Sequence, residues 1–185
     1  MPATNGTALV TGASRGLGAA IARGLGAAGF AVAVNYAHDD AGAADTVAAI
    51  QAAGGTAKAF RFDVTDKASV RHGMAEIAHE LGPLTVIVNN ATGPQPTMPI
   101  EEQTWDTHLD QLRFFVKAPL LILQEVIAEW KAKRGGRVIN IGSEVVDMGN
   151  PAFGHYVAAK AAMVGLTRSW ANELGSHGIC VNLVA

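Results

Sequence analysis

The feature that most constrains this chain is an alternation. Six short, β-rich apolar runs lie at Thr7–Thr11, Ala31–Asn35, Thr56–Phe62, Leu84–Asn89, Arg137–Gly142 and Ile179–Val184. Between them lie Ala-rich helical stretches near 16–28, 40–53, 66–81, 101–133 and 154–175. Most runs are apolar almost throughout, the pattern of strands covered on both faces. Connections this long force parallel strands, and right-handed crossovers then wind helices onto both sides of one sheet. The expected architecture is α/β, a doubly wound parallel sheet with the Rossmann order 3-2-1-4-5-6. The last two helical stretches are long enough to be interrupted, and Pro119 falls inside the first of them.

At 185 residues the chain has room for one such domain, 1–185, and not for two. Hydrophobic residues make up 49% and charged residues 16%, which excludes a disordered polymer. A net charge of −2 with no basic stripe argues against nucleic acid as a partner. Cys180 has no second cysteine to pair with, which excludes a disulfide scaffold; inside an apolar run it reads as inert core. The start of the chain lacks the basic and apolar regions of a signal peptide. The longest apolar candidate for a membrane span is cut by Lys117 and Pro119. A cytoplasmic setting is therefore expected. The six histidines show no H-x-x-x-H or H-x-H pairing, so no metal site is expected.

Ligands of open α/β sheets bind outside the carboxyl ends of the strands, and the notable residue clusters fall there. Gly12, Ser14, Arg15, Gly16, Leu17 and Gly18 follow the first run and open the first helical stretch. Glycines at this place let backbone N–H groups approach a pyrophosphate at a helix N-terminus. A plain strand–helix turn is the alternative. The second run ends in Asn35 and Tyr36, with no acid before Asp39 to hold the ribose 2′-hydroxyl of NAD. Arg15 offers a planar fork to a 2′-phosphate, so NADP(H) is favoured; Asp39 and Asp40, close behind, keep NAD(H) as the alternative. Asp63 and Val64 end the third run, and Asn89, Asn90 and Ala91 end the fourth, placed to line adenine and ribose. Asp63 also suits a helix cap for the segment near Asp66.

Tyr156 and Lys160 are four residues apart at the start of a helical stretch, so they project from one face roughly 6 Å apart along the axis. A free tyrosine, with a pKa of about 10, is a poor base at neutral pH; a nearby lysinium favours its phenolate. Ser143 ends the fifth run, thirteen residues earlier, where its hydroxyl can donate to a substrate carbonyl. Together the three residues point to proton transfer at a carbonyl or alcohol. Alone, each has a bland reading as packing or turn.

TGASRGLG at 11–18, NNA at 89–91, a serine thirteen residues ahead of YVAAK at 156–160, and ICVNLVA at 179–185 resemble the short-chain dehydrogenase/reductase family. The resemblance runs from about residue 6 to residue 185 and is nearest to the 3-oxoacyl-acyl-carrier-protein reductase branch. It implies hydride transfer between NAD(P)H and a carbonyl or alcohol substrate. Tyr156 would be the acid/base, Lys160 would lower its pKa and hold the ribose hydroxyls, and Ser143 would orient the substrate oxygen. It further implies a homodimer or homotetramer built on the two long helices, with Phe114 and Phe115 as contributors.

Three departures from the family pattern stand out. Relatives carry a proton-relaying asparagine in the helix after the fourth strand, and none occurs from Trp105 to Pro119. Two alignments place either Phe115 or Leu112 there. The expected glycine after NNA is Thr92, a strained choice if that position needs φ > 0. The chain ends at Ala185, where relatives continue through a substrate-covering segment; the expectation is either a fragment or a protein without that part. Pro94-Gln95-Pro96 reads as a stiff loop beside the site. His155 reads as a loop–helix residue rather than a base, and Glu144, Val145, Val146 and Asp147 as the border of the substrate mouth. Two rival readings are a dinucleotide-binding scaffold without catalysis and a binder of another nucleotide-bearing cofactor such as S-adenosylmethionine.

Overall fold

The computed structural model describes residues 5–185. Six strands, β1 (Thr7–Val10), β2 (Ala31–Tyr36), β3 (Thr56–Arg61), β4 (Leu84–Asn89), β5 (Gly136–Ile141) and β6 (Ile179–Val184), form one all-parallel sheet. Their order is β3-β2-β1-β4-β5-β6, as the alternation predicts. Successive residues of the central strands enter opposite cores, which is why these runs are apolar throughout. Leu9, Ala33 and Ile87 pack on one side with Val70, Ile77, Ile122 and Trp130. Ala8, Val10, Val32, Val34, Val86 and Val88 pack on the other with Ala22, Ala43 and Ile50. At one edge β6 instead alternates buried and exposed residues, and at the other β3 exposes Thr56, Lys58 and Arg61 while burying Ala57 and Phe60. Cys180 lies on the exposed side of β6, where Arg137 Nη1 donates to its Sγ at 3.2 Å. The inert-core expectation for it fails because β6, at the sheet edge, buries only the alternate residues Ile179 and Val181.

The helices are α1 (Gly16–Ala27), α2 (Asp40–Ala52), α3 (Lys67–Leu81), α4 (Trp105–Leu112), α5 (Ala118–Lys133), the short α6 (Val145–Met148) and α7 (Gly154–Leu174). Asp39 caps α2, Asp66 caps α3 and a Thr104/Thr107 capping box starts α4. The cap of α3 is therefore Asp66; Asp63 turns its carboxylate onto the backbone N–H and hydroxyl of Thr65, both at 2.8 Å. The expected break near Pro119 takes the form of one π turn, Arg113–Lys117, between α4 and α5, closed by Ala118 N–H donating to Arg113 O. Proline has no N–H to continue the ladder, and the wider turn brings the chain to it without ending the helix. Among the described residues, no helix is long and apolar enough to cross a membrane.

Candidate active site

The turn from β1 into α1 is held from behind by two asparagines. Asn35 is buried; its Oδ1 accepts from Gly12 N–H at 3.2 Å and its Nδ2 donates to Phe62 O at 3.0 Å. With both ends of its amide engaged, Asn35 braces the turn instead of offering a free polar group to a ligand. Asn90 Nδ2 donates to Thr11 O at 2.9 Å and Gly12 O at 3.2 Å, while Thr11 Oγ1 accepts from the N–H groups of Asn90 and Ala91. A Cβ on Gly18 would collide with the Gly12 carbonyl oxygen and lie 2.5 Å from Asn90 Nδ2. Gly16, with φ +55°, has open space on its Cβ side. Unlike α2, α3 and α4, α1 has no side-chain cap, and its first turn holds no acid. A close-approach cradle ending in a helix N-terminus with uncapped N–H groups is the polarity a pyrophosphate requires, so these residues fit a dinucleotide. Ser14 is half-buried beside α2, and Arg15 and Leu17 are exposed at the mouth.

At the far end of β2, Tyr36 OH donates to Asp40 Oδ1 at 2.9 Å, and that bond raises the tyrosine pKa. Asp39 spends its carboxylate on the α2 cap, accepting from Gly42 N–H at 3.0 Å. Arg61, level with Tyr36 on β3, donates to Ala37 O at 3.2 Å and approaches Asp40 at 4.0 Å. It adds a second guanidinium to this end. Sequence reading missed it because strand register, not sequence proximity, brings it there. Val64 is buried in the core and Ala91 half-buried beside it.

Ser143 leaves the end of β5, and α7 brings Tyr156 and Lys160 to the same edge. Tyr156 is half-buried between two rings, stacked on Phe153 (4.6 Å, 24°) and edge-on to Phe115 (5.4 Å, 85°). Burial raises its pKa, and the nearby Ser143 hydroxyl pulls the other way. At this position burial, and not the lysine, sets the direction of the net shift. Lys160 Nζ donates to Ile141 O at 2.6 Å and lies 5.7 Å from the centroid of the tyrosine ring. Lys160 is itself buried, which pulls its pKa down to about 8.

The candidates for the relay position separate clearly. Phe115 sits in the π turn, 2% exposed, with its ring centroid 4.0 Å from Lys160 Nζ; Leu112 packs at the edge of the same small cluster. Phe115 is thus inside the protein and not on an assembly face, because the wider turn rotates it toward α7. Behind it runs a buried polar chain that sequence reading did not find. Asn89 Nδ2 donates to Asn140 Oδ1 (2.8 Å), Asn140 Nδ2 to Thr167 Oγ1 (2.9 Å), and Thr167 Oγ1 to Met163 O (2.8 Å). The signal was Asn140, a lone amide in an apolar strand.

Thr92 carries no backbone strain: among the described residues, the non-glycine positions with positive φ are Arg134 and Ala152. Ala152 O accepts from Met98 N–H at 2.6 Å, and Gln111 Nε2 donates to Pro94 O at 2.9 Å, so the proline-rich loop is pinned to α4 and to the entry of α7. His155 is buried against His108 and Phe153, not at a loop surface, and burial lowers its pKa.

The family model of the short chain dehydrogenases matches residues 6–185. The chain belongs to the short-chain dehydrogenase family. The 3-oxoacyl-[acyl-carrier-protein] reductase of Staphylococcus aureus is 41% identical over 181 residues, covering 97% of this chain and 72% of that protein. A solved metagenomic short-chain oxidoreductase in complex with NADP superposes with a TM-score of 0.91 at 32% identity, over 98% of this chain and 82% of that one. A blue fluorescent protein from a metagenomic library, in complex with NADPH, gives 0.87 at 36% identity, over 97% and 73%. As a short-chain dehydrogenase the chain is an NAD(P)-dependent oxidoreductase acting at C=O/CH–OH.

Proposed function

We propose that this short-chain dehydrogenase reduces a ketone or 3-oxoacyl group with NADP(H), or runs the reverse oxidation, within the single domain 1–185. Ser143, Tyr156 and Lys160 are the catalytic residues of this reading. The observation that carries it is their convergence beside the α1 cradle, with Ser143 at the end of β5 close enough to Tyr156 to influence its titration and Lys160 buried one helical turn on. Gly12–Gly18, Tyr36, Asp63, Val64 and Asn89–Ala91 would hold the cofactor, which would supply the hydride. Ser143 donates to the substrate oxygen and places it. Tyr156, whose pKa is raised, enters as the neutral phenol that reduction requires and gives its proton to that oxygen. Lys160, protonated below about pH 8, stabilises the phenolate left behind. The NADP(H) preference is supported by Arg15 and Arg61, by the engagement of Asp39 in a helix cap, and by the NADP-bound relatives. The thioester substrate is supported by the reductase relative.

The test is NADPH oxidation against a panel of ketones and 3-oxoacyl thioesters, with the Tyr156→Phe variant beside it. Removing the proton donor is expected to lower kcat about 10²–10⁴-fold while NADPH still binds. A variant with undiminished turnover overturns the assignment. Binding without turnover on any substrate gives precedence to the scaffold reading.

A further inference from the structure

Lys160 is an ammonium with three donors in a site that is 4% exposed, and one of those donors is used, on Ile141 O at 2.6 Å. Burial alone accounts for its lowered pKa, and no carboxylate contributes. The titratable side chain it faces from its own helix is Tyr156, 5.7 Å from ammonium to ring centroid. From the π turn it faces a ring: the Phe115 centroid is 4.0 Å from Nζ. The face of that ring carries partial negative charge and attracts a desolvated cation more strongly than a hydrated one. The same ring meets Tyr156 edge-on and packs with Ala159 and Met163, so its position is fixed from α7.

We propose that Phe115 is the positioning residue for Lys160: its ring face holds the ammonium against the Ile141 carbonyl and closes that side of the lysine to water. Phe115 touches no reacting atom and acts through Lys160, so the functional importance of this contact rests on the reading above. A phenylalanine thus does by its quadrupole what a hydrogen-bonding side chain or an ordered water would otherwise do for a buried ammonium. A purely space-filling residue would hold the lysine by shape alone and be indifferent to the electron density of its ring.

The test replaces Phe115 site-specifically with 4-fluoro-, 3,5-difluoro- and pentafluorophenylalanine, which drain the ring face at nearly constant shape, with Phe115→Leu as a ring-free control. Competitive acetylation across pH 6–11, read by peptide mass spectrometry on the ligand-free protein, gives the Lys160 titration midpoint in each. The midpoint is expected to fall stepwise with fluorination, by about one pH unit from phenylalanine to the pentafluoro ring. A midpoint that stays constant across the fluorinated series overturns the proposal, whatever happens in Phe115→Leu. NADPH titration of the same proteins is read separately. Failure of every protein to bind dinucleotide counts against the proposed function, while the lysine midpoints alone decide the role of Phe115.

Discussion

Replacing Lys160 with methionine should make the protein inactive, and it should also change how stability depends on pH. The lysine is 4% exposed and its pKa falls from 10.5 to about 8 on burial. A cation whose folded pKa lies below its unfolded value is a cost to the folded state. Below pH 8 the lysine is charged in both states and the cost is complete. Between pH 8 and 10.5 the folded protein sheds the proton first and the cost fades; above 10.5 it is gone. The gap corresponds to about 3 kcal/mol. Lys160→Met removes that cost, and with it the hydrogen bond to Ile141 O and the contact with Phe115, so its absolute effect at pH 7 mixes opposing contributions. The pH dependence does not mix them.

The stability of Lys160→Met relative to the parent should therefore be greatest at pH 7. It should shrink by about 1 kcal/mol at pH 9 and by about 2.5 kcal/mol at pH 10. Tyr36 and Tyr156 also titrate at the alkaline end with raised pKa values, but both are present in both proteins and largely cancel. Urea unfolding of the two proteins at pH 7, 8, 9 and 10 and constant ionic strength measures the difference directly. A difference that is flat with pH, or one that grows as pH rises, refutes the claim that the ammonium is held desolvated.

Three further expectations concern the dinucleotide end. Gly18→Ala should abolish NADPH binding and lower stability by about 1–3 kcal/mol, because the new methyl collides with Gly12 O; fluorescence titration and a melting curve report the two effects. Asn35→Ala leaves Gly12 N–H and Phe62 O without their partner, and should lower unfolding free energy by about 2–3 kcal/mol in a urea titration while weakening NADPH binding. If Arg15 pairs with the 2′-phosphate as proposed, Arg15→Ala should weaken NADPH at least about tenfold and leave NADH nearly unchanged in parallel titrations.

What the sequence disclosed was what local pattern controls. Continuous apolar runs with long crossovers leave few topologies, and β4 and β6 begin and end where their residues said they would. The cradle was legible because glycine is needed there for a backbone reason, visible at Gly12 and Gly18. The illegible parts depend on partners distant in sequence. Nothing near Phe115 announces that its ring will lie over an ammonium 45 residues away, because a π turn sets that geometry. The direction of the Tyr156 shift was hidden for the same reason. The i, i+4 spacing gave proximity to a lysine, but burial by Phe153 and Phe115 decides the outcome, and Lys160 turns its proton to Ile141.

That orientation also explains why α7 tolerates so many polar groups on its buried side. The helix begins after Phe153 without a side-chain cap, and its entry is held by Ala152 O accepting from Met98 N–H. What ties it to β5 is a pair of polar contacts, Lys160 to Ile141 O and Thr167 to Asn140, seven residues and about 10 Å apart along its axis. Each is directional, as apolar packing is not. Two directional contacts at different heights fix both the tilt and the axial position of a helix against the strand; a single one leaves the tilt free. Tyr156 lies one turn before the first contact, so its hydroxyl inherits that placement relative to Ser143 at the end of the same strand. The Asn89–Asn140–Thr167 chain then links the helix through β5 to β4, whose end borders the cradle. The buried amide hydrogen bonds, in this order, keep Ser143, Tyr156 and Lys160 in one frame with the glycine cradle.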